Sequence, residues 1–213
     1  WRVYHFHDTS SEAKIKKQGY IHDNHYLRSD GGNLAAFLYQ MQRKNEKYYN
    51  RIITTLKSVI PFFGGFVLAP NALNPEYIIL NWREQGVDSD IIFGPHQLSD
   101  GTLRLMALIT VLLQPQLPEL IIIDEPELGL HPYAISVLAG LLKSVAYQTQ
   151  IIVSTQSVTL VDHLEPEHII VVDREKDQSV FRRLDESELR PWLDEYSLGE
   201  LWEKNVLGGR PAR

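Results

Sequence analysis

The stretch Leu120–Pro132, "LIIIDEPELGLHP", decides how the rest of the chain reads. Its four leading aliphatic residues show no polar alternation, the pattern of a strand buried on both faces in a parallel sheet covered by helices. Asp124 then falls at the carboxyl end of that strand, where open α/β sheets bind their ligands. A carboxylate fixed there needs a cation or hydrogen-bond donors. Magnesium with nucleotide phosphates is one such partner, because it takes oxygen ligands and keeps several waters. Glu125, the next residue, is placed to polarise an attacking water. The plainer alternative is an acidic loop near a helix N-terminus, which also favours negative charge. The stretch alone leaves both open.

Working outward, Pro132 through Lys143 reads as a helix, with proline where its missing N–H costs nothing. "QTQIIVSTQS" is a second buried strand, ending in Ser154, Thr155, Gln156 and Ser157, and "EHIIVVDRE" is another. Upstream, "LSDGTLRLMALITVLLQP" is a helix whose start is signalled by Ser99 and Asp100 and whose apolar positions include Leu103, Met106, Ile109 and Leu113. Further back, "FFGGFVLAP" and "EYIILNWRE" read as short strands joined by "NALNP". "NLAAFLYQM" and "EKYYNRIITTLKSVI" have helical spacing, the second ending before Pro61. Trp1 to His7 alternates like a strand, and the tail from Glu186 is helical and then irregular. Strands alternating with helices predict an α/β fold, a mostly parallel sheet flanked by helices.

Composition sets the bounds. The 213 residues are 44% hydrophobic and 23% charged, with a net charge of -6, so no whole-chain basic field recruits nucleic acid. Short basic clusters, Lys14 to Lys17 and Arg182-Arg183, read as solvated faces. There are no cysteines, which excludes disulfides and thiolate metal sites and allows an intracellular, cytoplasmic location. No apolar run approaches the ~20 residues of a membrane span.

"LSDGT" adds a second chemical signal. A Ser hydroxyl, a glycine permitting close approach and a helix N-terminus together make an anion site of oriented N–H groups. An N-cap after a flexible loop is the alternative. The histidines offer a different class: His5, His7 and Asp8, then His22, Asp23 and His25, have spacings that suit a transition metal. That pattern would make the chain a His-rich metal hydrolase, although histidine pairs are more often structural. Trp82, Trp192, Tyr196 and Trp202 are expected to pack, because a base-stacking platform wants basic neighbours that they mostly lack.

Taken in order, "LSDGT", "LIIIDEPELGLHP" and "IIVSTQS" resemble the signature, Walker B and switch segments of ABC-type ATPase heads in the RecF/SMC-like branch, predicted AAA-family ATPases of the P-loop NTPase class. The resemblance runs from about Gln97 to Asp173 and extends to "YHFHDTS", "DGGNLAAFLY" and "SLGELWEKNVLGGRP". It implies ATP and Mg2+ as cofactors, and a homodimer through the head with nucleotide sandwiched between subunits. Asp124 would help hold the metal, and Glu125 would orient the attacking water. Ser99 and Gly101 would contact the γ-phosphate of nucleotide bound to the other subunit. His131 would lie in the D-loop at the dimer interface, and Gln156 would take the switch position. Work on DNA, in repair or in defence against foreign DNA, is also implied, and no membrane partner.

Three departures from the family pattern stand out. Gln156 occupies a position usually held by His, and it cannot become a cation. Asp100 replaces the first glycine of the commoner signature, so its charge is expected to point away from phosphate. Finally, GxxxxGK[ST] occurs nowhere, and there is no Gly-Lys pair. The expectation is therefore an incomplete head: residues 1–96 a lobe of strand, helices and short strands, and residues 97–213 the C-terminal half. An N-terminal portion or partner subunit would bear the Walker A loop. A non-catalytic interaction module or degenerate head is the alternative.

Overall fold

The computed structural model describes residues 1–88 and 90–209. They form two compact units, which divide between Ser154 and Thr155. The first unit contains β1 (Arg2–Tyr4), β2 (Gly19–Tyr20), α1 (Leu34–Lys44), α2 (Glu46–Val59), β3 (Phe63–Val67), β4 (Tyr77–Ile78), β5 (Asn81–Glu84), α3 (Asp100–Leu113), β6 (Leu120–Asp124), α4 (Pro132–Ala146) and β7 (Gln150–Ser154). The second contains α5 (Val158–Val161), β8 (Ile170–Glu175), β9 (Gln178–Arg183), α6 (Glu186–Leu193) and α7 (Leu198–Glu203). Arg210 and Pro211, which end the "SLGELWEKNVLGGRP" stretch, lie outside the described residues.

The parallel sheet expected from the aliphatic runs is present, in the order β1-β6-β7. Val3 pairs with Ile122 on one side, Ile122 with Ile152 on the other, and the ladder ends at Asp124 opposite Ser154. β1, from the expected 1–96 portion, thus shares a sheet with β6 from the expected 97–213 portion. The first strand covers only Arg2–Tyr4, shorter than the Trp1–His7 alternation suggested. His5 leaves the ladder, its N–H donating to the Ser29 carbonyl.

The core lies around α3. Leu103, Met106, Ile109 and Leu113 are buried, and so are Leu105, Ala107, Leu108, Val111 and Leu112. A helix apolar on every side belongs inside a domain rather than on its surface. It packs against α2 and α4. Its one fully buried hydroxyl, on Thr110, donates to the Met106 carbonyl at 2.7 Å, so no polar group is left unpaired there. Away from this sheet, β3 and β5 pair antiparallel, as do β2 and β4. Trp82 of β5 is buried and stacks on Phe93.

In the second unit, β8 does not extend a parallel run. It pairs antiparallel with β9, a strand that the sequence reading missed. Lys176 and Asp177 join them in a two-residue turn, both with positive φ (44° and 68°). That is the geometry a tight hairpin demands. Val171, Leu184, Leu189, Leu198, Leu201 and Leu207 form the core of this unit, with Tyr196 and Trp202 packed against it. Trp192, expected to pack, is 48% exposed instead. Gly199 permits α7 to close on α5: its N–H donates to Asp162 Oδ1 at 2.6 Å, and a Cβ there would lie 2.5 Å from Val158 Cγ1.

Candidate active site at the carboxyl end of the parallel sheet

Asp124 ends β6 at the exit of the sheet, exposed to solvent. Ser154, its partner in register on β7, donates a hydroxyl hydrogen bond to Asp124 Oδ1. From the segment that follows β1, His7 brings Nε2 to 3.1 Å from the Asp124 carbonyl and 3.8 Å from its Oδ2. The carboxylate is thus held from both sides by short polar side chains and still faces water. An oxygen donor of this kind suits magnesium, whose remaining ligands come from water and phosphate.

Glu125 begins the loop, with φ at +41°. A side-chain-bearing residue in this region costs on the order of 1–3 kcal/mol and persists only where the surroundings fix it. Here the fixing contact is its own N–H, which donates to the Ser154 carbonyl at 2.9 Å and carries the β6–β7 ladder one step beyond Asp124. The chain then folds into two tight turns, Leu128 N–H to the Glu125 carbonyl and Leu130 N–H to the Glu127 carbonyl. His131 closes the loop as the N-cap of α4, its Nδ1 accepting from the Tyr133 N–H at 3.2 Å.

The amino end of α3 comes against this loop. Ser99 is its N-cap, the hydroxyl accepting from the Thr102 N–H at 3.1 Å and meeting Thr102 Oγ1 at 2.7 Å. Gly101 is buried, and a Cβ built on it would stand 2.0 Å from the Gly129 carbonyl oxygen. Only glycine allows the two backbones this close, so Gly101 has a packing role whatever it binds. Gly129 has φ at +77°, which glycine adopts without cost. Asp100 is paired with the ammonium of Lys16 at 3.1 Å, and Lys16 also donates to the Thr9 carbonyl. Lys16 itself is buried, at 7% exposure. Its hydrogen bond holds the Asp100 carboxyl below the usual range, so the charge that replaces the signature glycine is already matched by a cation.

The sequence reading did not single out Arg104, one turn into α3. Its Nε donates to the Phe6 carbonyl at 2.9 Å, and one Nη donates to the His7 carbonyl at 2.8 Å and to Thr9 Oγ1 at 3.4 Å. The other Nη donates to the Leu128 carbonyl at 3.1 Å. A lone arginine on an apolar helix that also bears the anion-site sequence was the available signal.

The remaining expected residues lie elsewhere. Gln156 belongs to the second unit, between β7 and the Ser157-capped α5. The histidines are dispersed: His7 is at Asp124, while His22 meets Tyr20 edge-on. Among the described residues no group of three or more His, Cys, Asp or Glu is arranged to hold a metal ion, so the geometry gives the histidine-centred hydrolase no support. No helix among those residues is long and apolar enough to cross a membrane.

A parallel sheet flanked by helices, with an acidic strand end at its carboxyl edge, is the fold of P-loop ATPase heads. The chain is similar to a solved structure described as "Structural biochemistry of ATP-driven dimerization and DNA stimulated activation of SMC ATPases", with TM-score 0.54 and 18% identity over 74% of this chain and 96% of that one. An Smc head domain from Pyrococcus furiosus, bound to the C-terminal domain of ScpA, aligns with TM-score 0.49 and 17% identity over 78% of this chain and 44% of that one. Among curated proteins none matches. The family model described as "AAA domain, putative AbiEii toxin, Type IV TA system" matches residues 13–162, and the chain belongs to that family.

Proposed function

We propose that this chain supplies the water-activating and cross-subunit half of an ATP-hydrolysing site. The observation that carries the reading is the end of the β6–β7 ladder. There a solvent-facing Asp124 is braced by Ser154, and Glu125 turns away at positive φ while its N–H still donates to the Ser154 carbonyl. In this reading Asp124 holds Mg2+, directly or through water, and Glu125 accepts a proton from the attacking water. Magnesium held there would supply charge neutralisation for the phosphates. Gln156 hydrogen-bonds water or phosphate from the switch position.

Ser99 and Gly101 act on nucleotide held by a second subunit. Ser99 Oγ accepts from the Thr102 N–H, and in this reading its own proton turns from Thr102 Oγ1 to a phosphate oxygen. Gly101 contributes its backbone N–H, and the Lys16 pairing keeps Asp100 from repelling the anion. His131, capping α4, fixes the D-loop at the homodimer interface. The 213 residues carry no GxxxxGK[ST]. In this reading the cradle for the β- and γ-phosphates is supplied by other polypeptide, an N-terminal portion or a partner subunit. DNA is the substrate class on which the assembly acts, in repair or defence, and its compartment is the cytoplasm.

The test is Glu125→Gln assayed with the phosphate-loop polypeptide present. ATP binding is retained and turnover falls about 100-fold or more, the usual contribution of a positioned base. Turnover unchanged in that variant removes Glu125 from catalysis. That GxxxxGK[ST] does not occur in these 213 residues supports a second reading, a non-catalytic interaction module. A turnover assay of the double variant Asp124→Asn, Glu125→Gln separates the two, since a module leaves ATP turnover by any such assembly unaffected.

A further inference from the structure

Three separate grips converge on the amino end of α3: the Lys16–Asp100 pair, the backbone contact of Gly101 with Gly129, and the guanidinium of Arg104. Arg104 differs from the other two in what it joins. Its acceptors are the carbonyls of Phe6 and His7 after β1, the Thr9 hydroxyl, and the Leu128 carbonyl after β6. These two segments leave neighbouring parallel strands at the same edge of the sheet and have no ladder to hold them once the strands end. A guanidinium presents five donors in a rigid planar fork, and hydrogen bonds from a charged donor are roughly twice as strong as neutral ones. A lysine at the same place would present a single ammonium on a flexible stem. The His7 carbonyl belongs to the residue whose ring meets Asp124, and the Leu128 carbonyl lies three residues past Glu125.

From this geometry we infer that Arg104 is the positioning residue of the site. It locks the loop after β1 and the loop after β6 to the amino end of α3, so that Ser99, Glu125 and His131 are carried on one body rather than on three independent loops. A change in the tilt of α3 is then transmitted to Glu125 through the Arg104 guanidinium on the Leu128 carbonyl and the Leu128 N–H on the Glu125 carbonyl. The inference rests on the ATPase reading only for what the loops serve; the lock itself is a property of this chain and is measurable without nucleotide.

Native-state hydrogen exchange on the full chain tests it, comparing wild type with Arg104→Met and Arg104→Lys. The reporters are the amides of Leu128 and Leu130, which donate to Glu125 and Glu127 and are protected only while the loop keeps its turns. In Arg104→Met these two amides exchange about tenfold faster or more, relative to the buried amides of α3 from Met106 to Leu113. Arg104→Lys, which retains the charge but not the fork, shows an intermediate local increase and folds even if the methionine variant does not. Exchange that is unchanged at Leu128 and Leu130, or that rises equally there and in the interior of α3, overturns the lock. A local increase without loss of turnover in the complemented ATPase leaves the lock in place and counts against the catalytic reading instead.

Discussion

Two strands of this chain share nearly one sequence. β6 reads four apolar residues, Leu120 to Ile123, then Asp124; the stretch around β8 reads four, Ile169 to Val172, then Asp173. They end in different worlds. In β6, Ile121 and Ile123 are buried at 0% and 1% exposure between parallel neighbours. In β8 only Val171 is buried, while Ile170 and Val172 are each 48% exposed on the open face of a hairpin. Asp124 faces solvent, braced by Ser154 of β7 and by His7 beyond the end of β1. Asp173 is consumed by structure, its Oδ1 accepting the Gly209 N–H at 2.7 Å. What separates them is the company each strand keeps, since an aliphatic run specifies burial only where helices and strands exist to supply it.

The comparison is open to attack at several points. The largest effect is expected in the strand interiors. Ile121→Ala lowers unfolding free energy by about 2–5 kcal/mol, whereas Ile170→Ala stays within about 0.5–1 kcal/mol. Denaturant titrations with equal costs would erase the distinction. Next come the two aspartates. Asp124→Asn, in the complemented ATPase, reduces turnover about 100-fold, roughly 2.7 kcal/mol in barrier, with little change in melting temperature. Asp173→Asn does the reverse, leaving turnover within about twofold while destabilising its own unit.

The connections differ as the strands do. Gly101→Ala drives a methyl into the Gly129 carbonyl and costs about 1–3 kcal/mol, as overpacking does. In the β8–β9 turn, Asp177→Gly relieves a left-handed residue and stabilises by up to about 1 kcal/mol. A calorimetric comparison with the signs exchanged would refute both assignments. The smallest effect separates two ion pairs. The Lys16 end of Lys16–Asp100 is buried, whereas Arg174–Asp177 is exposed at both ends. Because the Asp100 carboxyl lies below its ordinary 3.8, its contribution is present above that pH and is lost as pH falls through the lowered value. Asp100→Asn therefore flattens the acid limb of stability below about pH 4, by less than about 1 kcal/mol given the exposure of the carboxylate.

Much of the first unit was legible because its signals are local and strong. Ser99 caps α3 as its side chain predicts, Pro132 opens α4, and α2 stops before Pro61. The aliphatic run of β6 identified the sheet. The rest depended on partners distant in sequence. β1 is held in the sheet by β6, more than a hundred residues away, which no alternation reports. β9 was missed because Lys-Asp lacks the Asn-Gly or Asp-Gly signature of its turn. Arg104 escaped notice because its acceptors are main-chain carbonyls, which every residue possesses. Of the site, the residue types at the strand ends were readable. The packing of Gly101 on Gly129 and the neutralisation of Asp100 by a buried lysine were not, since both arise from loops meeting in space.

The positive φ of Glu125 has an evolutionary corollary. At that backbone geometry glycine would be the more comfortable residue, and the chain would hold together better with it. If Glu125 serves turnover, two selections pull on a single codon in opposite directions: heat resistance draws it toward glycine, and activity returns it to glutamate. Drift at this position, traced through variants evolved without demand for hydrolysis, would record which pressure the protein lives under.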